Sequence, residues 1–81
     1  MNILEHYWQK AEEELRLALK ELPQEELKEV EDYLECKQFL FAWEEMEGIA
    51  NRLKISSAEF WRPMAKSAGF MLAANEESGY L

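Results

Sequence analysis

His6 is the single histidine of this chain and Cys36 its single cysteine. A zinc site would therefore have to draw on that pair plus carboxylates, and the two residues do not share a ligand-like spacing. The same pair is too far separated in sequence to suggest a thiol–imidazole nucleophile, so His6 reads as a surface or helix-end residue and Cys36 as a partly buried structural cysteine. Carboxylates are abundant, as in Glu12-Glu13-Glu14 and Glu44-Glu45. General acid–base chemistry needs such a group in a dry cleft with a shifted pKa, whereas these runs fall on polar helix faces. The sequence has no glycine-rich phosphate loop, no Ser–His–Asp set and no calcium loop. The expectation is a protein without catalytic residues, metal or cofactor.

Charge is the next strongest signal. The chain carries a net charge of −8, which disfavours nucleic acid and anionic membranes as partners, since both select clustered Lys and Arg. Residues 21–47 hold ten acids (Glu21, Glu25, Glu26, Glu29, Glu31, Asp32, Glu35, Glu44, Glu45, Glu47) against Lys28 and Lys37. Residues 48–66 are basic, with Arg52, Lys54, Arg62 and Lys66 against Glu59.

The elements that would position these groups are helices. Hydrophobic residues make up 48% of the 81 positions, and three Gly and two Pro leave room for long helices in one domain. Leu4, Trp8, Ala11, Leu15, Ala18 and Leu22 recur at alternating steps of four and three, which makes one apolar stripe from about Ile3 to Glu21 behind an Asn2 cap. Pro23 suits the first position of a second helix with Glu25 and Glu26 in its first turn, and Leu27, Val30 and Leu34 facing inward. Phe39, Trp43, Met46, Ala50 and Leu53 mark a third. Ser56-Ser57-Ala58-Glu59 fits a capping box, flanked by Ile55 and Phe60 as a hydrophobic staple, and Phe60, Met64, Ala68 and Met71 continue a fourth stripe. Pro63 lies inside that helix and predicts a kink or a restart. The expected fold is all-α, a compact antiparallel bundle of three to four helices over residues 1–74, with a tail at 75–81.

The lone cysteine permits no internal disulfide. The opening MNILEHYWQK lacks a basic segment followed by an apolar run, and no apolar stretch approaches the roughly 20 residues of a membrane span. These features suggest a soluble cytoplasmic protein. The segment Ile49–Trp61 has the rhythm of a DNA-binding helix-turn-helix, but with Lys54 where glycine is common and Pro63 within the second helix. The rest of the chain would also repel phosphates, so an ordinary helix–turn–helix corner in a bundle is the preferred reading.

At about 100° per residue, Phe41 lies opposite the stripe of the third helix, among Lys37, Glu44 and Glu45. Tyr33 falls at the edge of the second stripe beside Glu26 and Glu29, with Asp32 further round. An exposed aromatic among carboxylates is the pattern of an interface anchor with a charged rim. The alternative is that Phe41 packs on the first or fourth helix and the acids only solvate the surface.

Asp32-Tyr33-Leu34 followed by Gln38-Phe39-Leu40-Phe41-Ala42-Trp43-Glu44-Glu45-Met46 resembles the central part of small helical immunity proteins of the MafI type, from bacterial toxin–immunity systems. The similarity extends over roughly residues 20–73, ending with Ala65, Ala68, Gly69, Met71 and Leu72, and Gln38 stands where the pattern has Glu. In size and acidity the chain is also similar to immunity proteins of nuclease colicins, but it lacks their tyrosine-pair motif. The resemblance implies a non-catalytic inhibitor of a cognate protein toxin, such as a basic nuclease. With the charge pattern it assigns Asp32, Tyr33, Glu35, Phe41, Glu44 and Glu45 to the partner surface. A self-associating adaptor and a helix-turn-helix regulator are the alternatives.

Overall fold

The computed structural model describes residues 2–78 and contains four α-helices: α1 (Ile3–Leu19), α2 (Lys28–Glu35), α3 (Phe39–Arg52) and α4 (Ala58–Ser78). The all-α bundle expected from the apolar stripes is what forms. Each stripe delivers its buried side chains: Ala11, Leu15 and Ala18 from α1, Val30 and Leu34 from α2, Phe39, Ala42 and Met46 from α3, Phe60, Met64 and Met71 from α4. None of the helices is long and apolar enough to cross a membrane, among the described residues.

The longest contact runs between α1 and α4. These two helices are antiparallel, because Ala11 faces Ser67 while the end of α1, at Leu17 and Lys20, shares a cleft with Ala58 and Arg62 at the start of α4. The hydroxyl of Ser67, fully buried, donates to the Ala11 carbonyl at 3.0 Å. α2 packs on α3, and that pair closes over α1. The Trp43 indole N–H ties α3 to α4 by donating to the Met64 carbonyl at 2.8 Å.

Local signals decide where each helix starts and stops. Asn2 caps α1, its side chain accepting from the Leu4 amide at 2.9 Å. α1 ends at Leu19, two residues before the expected Glu21, and closes in tight turns through Glu21 and Leu22. Pro23 does not open α2. It precedes a short 3₁₀ turn, Gln24–Glu26, and α2 begins only at Lys28. The 3₁₀ turn buries none of its side chains, so packing does nothing to hold it in α-helical register.

α2 and α3 are each followed, two residues beyond the last helical position, by a residue with left-handed backbone, Lys37 at φ 60° and Lys54 at φ 58°. In each case the next amide reaches back to close the turn, Gln38 to the Tyr33 carbonyl and Ile55 to the Ala50 carbonyl, both at 2.8 Å. The position where the helix-turn-helix pattern favours glycine thus adopts the glycine-like conformation with a lysine.

The last corner differs in detail from the sequence expectation. α4 starts at Ala58, and the Ser57 carbonyl accepts the first amides, from Phe60 and Trp61. Ser56 therefore lies one residue outside the cap, and the corner is secured instead by the Trp61 indole donating to the Ile55 carbonyl at 2.8 Å. α4 passes Pro63 without a restart and continues beyond residue 74. Asn75–Ser78 of the expected tail thus belong to the helix, while residues 79–81 lie outside the described residues.

A non-glycine residue in the left-handed region costs about 1 kcal/mol. Lys54 is exposed and makes no ion pair among the described residues. Lys54→Gly is therefore expected to raise the unfolding free energy by about 0.5–1 kcal/mol, seen as a higher urea midpoint at unchanged slope. A lower midpoint would show that the strain is not where φ places it.

Candidate functional site: an acidic, aromatic surface on α2 and α3

Tyr33 sits one residue before Leu34 and so at the edge of the buried face of α2, half-covered. Phe41, two residues after Phe39, projects from α3 with 53% of its surface exposed. The tight turn at Lys37 brings the two rings together, with centroids 5.8 Å apart and planes inclined by 34°. Phe41 therefore packs on Tyr33 and remains largely open to solvent. With Asp32, Cys36 and Gln38 the pair lines a shallow cavity of about 440 Å³.

Of the six residues expected at a partner surface, Asp32, Tyr33 and Phe41 line this cavity. Glu35 is exposed at the end of α2, Glu44 is exposed on α3 and Glu45 is partly shielded; none of these three lines it. Cys36 corrects an expectation. It is exposed at the C-terminal cap of α2, because it follows Leu34 by two residues and so turns away from the buried stripe.

A second groove, of about 590 Å³, adjoins the first and shares Gln38 and Phe41 with it. Its apolar lining is Leu4 and Trp8 from α1 and Phe39 and Leu40 from α3. Trp8 and Phe39 stack with centroids 5.9 Å apart, and Leu40 is 57% exposed. This half of the surface is not legible in the sequence. Trp8 and Phe39 both belong to inward stripes, and nothing in a single helix shows that their edges meet across two elements. Leu40, next to Phe41 on the outer face, was the available signal.

Glu12 fixes the geometry of this region. Its carboxylate accepts from Arg16 on its own helix at 2.9 Å and from Lys37 in the α2–α3 turn at 3.3 Å. The Lys37 ammonium also lies 5.9 Å from the centre of the Phe39 ring. Burial of Glu12 works to raise its pKa, but the hydrogen bonds and positive charges of Arg16 and Lys37 outweigh it and hold the carboxylate below its ordinary value. On the other flank Arg52 pairs with Glu26, joining the end of α3 to the 3₁₀ turn. Lys20, Arg62 and Lys66 share their cleft with Glu14, Glu21 and Glu59, so a coherent basic face does not form there.

The described residues contain no group of three or more His, Cys, Asp or Glu placed to hold a metal ion. His6 is partly buried beside Tyr7, with ring centroids 5.9 Å apart. What the surface offers is apolar area bordered by carboxylates. Compared with family profiles, with curated proteins and with solved structures, the chain matches none.

Because folding lowers the Glu12 pKa, its stabilisation is present above the ordinary glutamate value and is lost as pH falls through the folded value. Glu12→Gln is expected to cost about 1 kcal/mol or less at neutral pH, with the difference from the parent shrinking on acidification. Urea unfolding across a descending pH series measures this. A difference independent of pH would exclude the charge of Glu12 as the source.

Proposed function

We propose that this chain is a non-catalytic immunity protein that binds and neutralises a cognate protein toxin through the acidic helical surface of α2 and α3, acting in the cytoplasm. The observation that carries this reading is Phe41, held open to solvent against Tyr33 within the segment that contains the chain's whole excess of negative charge. An exposed aromatic pair supplies area to bury, and surrounding carboxylates steer a positively charged partner and speed encounter.

The division of labour follows from these positions. Tyr33 and Phe41 are the anchors, while Asp32, Glu35, Glu44 and Glu45 form the charged rim. A toxin that handles nucleic acid presents a basic groove to phosphates, and a surface carrying carboxylates on a rigid helical frame competes for that groove without any covalent step. The resemblance of Asp32–Leu34 and Gln38–Met46 to MafI-type immunity proteins supports the same reading.

Phe41→Ala combined with Glu44→Lys removes one anchor and reverses one rim charge, both at exposed positions. The expected result is binding to the cognate toxin weakened roughly tenfold or more, as for loss of an interface anchor, with far-UV circular dichroism unchanged. Unchanged affinity would remove this patch from the interface.

A further inference from the structure

We infer that the groove between α1 and α3 receives the apolar face of a basic amphipathic helix of the partner, an inference that rests on the inhibitor reading above. The groove has two apolar rails. Leu4 and Trp8, one turn apart, line it from α1, and Leu40 and Phe41 line it from the start of α3. Phe39, 6% exposed, forms its floor. Its volume of about 590 Å³ lies within the range that holds a ligand of several bulky apolar groups. The first turns of α1 and α3 thus leave an apolar cleft between them, into which the anchors of a third helix at i, i+3 or i+4, and i+7 insert.

Charge decides the occupant. Glu5 borders the groove, and Asp32 borders the cavity that continues it past Phe41. Lys37, the single cation lining either cavity among the described residues, is already engaged by Glu12. A second copy of this chain would bring the same acidic rim against itself, with α2 and α3 carrying like charge on both sides, which is unfavourable at an isologous contact. A nucleic-acid strand is repelled by the same carboxylates. A helix with Leu-type residues on one face and Lys or Arg beside them satisfies both features.

The three tryptophans provide the readout. The indoles of Trp43 and Trp61 are committed to the Met64 and Ile55 carbonyls. Trp8 lines the groove. The probe is a synthetic peptide of about four helical turns, with Leu at i, i+3, i+4 and i+7 and Lys elsewhere, titrated into ¹⁵N-labelled full-length protein. The control has Glu in place of Lys.

The expected result is that the Leu/Lys peptide moves the Trp8 indole resonance and leaves those of Trp43 and Trp61 in place. The Leu/Glu peptide should not bind. Leu40→Ser with Phe41→Ser, both at exposed positions, should weaken the Leu/Lys peptide roughly tenfold or more. If the basic peptide binds and shifts residues around Glu44 and Glu45 while Trp8 stays still, the groove is not the docking site but the acidic-surface reading stands. Binding that survives the double serine variant shows adsorption by charge alone and overturns the groove. If neither peptide binds, the groove proposal falls together with its electrostatic premise. A Trp8 resonance that moves with protein concentration alone makes a second copy the occupant and overturns the choice of partner.

Discussion

The contact between α1 and α4 is the constraint on which the rest of the molecule depends. At its centre Ser67, without access to water, donates its hydroxyl to the carbonyl of Ala11. Small side chains at Ala11, Ala18, Ser67 and Ala74, all fully buried, let the two backbones approach. A hydroxyl left unpaired in such a place would cost about 1–3 kcal/mol, so the bond fixes the register of the two helices as well as their proximity. That register sets the height of Leu4, Trp8 and Glu12 on one side of the bundle and of the Met64 carbonyl on the other. α3 is then held by the Trp43 indole at Met64, and the α2–α3 turn by Lys37 at Glu12. The aromatic surface of α2 and α3 is thus built on this frame.

This arrangement reconciles two demands that conflict in a chain of 81 residues. A small core needs nearly all the apolar side chains available, yet Leu40 and Phe41 stand more than half exposed at the start of α3. Their exposure is tolerable because Phe39, Ala42 and Met46 satisfy the inward face of the same helix. The acids follow the same logic. Glu12 and Glu26 serve the fold through Lys37, Arg16 and Arg52, while Asp32, Glu35 and Glu44 remain exposed on α2 and α3. In the proposed function, that residual charge and apolar area are what the partner meets.

The apolar stripes were legible in the sequence because each repeats at steps of three and four over several turns, and most buried residues follow them; Leu53, expected in the third stripe, is instead exposed because it lies past the end of α3. Features that depend on one backbone dihedral were not legible. Lys37 and Lys54 take left-handed conformations without glycine, Pro23 leads into a 3₁₀ turn, and Ser57 occupies the cap position assigned to Ser56. Pro63 does not restart α4, because α1 packs along the helix on both sides of that position, from Ala58 and Arg62 to Ser67. Phe41 could be placed outward from its angle on one helix. The groove beside it could not, because Leu4 and Trp8 reach Leu40 only after two distant segments have packed.

The central claim is that this acidic surface neutralises a cognate toxin, and growth is its most direct readout. The C-terminal domain encoded by the adjacent upstream reading frame would be expressed in a bacterial host, alone and together with this chain, and growth recorded after induction. The account predicts arrest by the domain alone, relief by the intact chain, and loss of relief when the Tyr33–Phe41 surface is altered. Arrest that the intact chain does not relieve, or a neighbouring domain without toxicity, would contradict it.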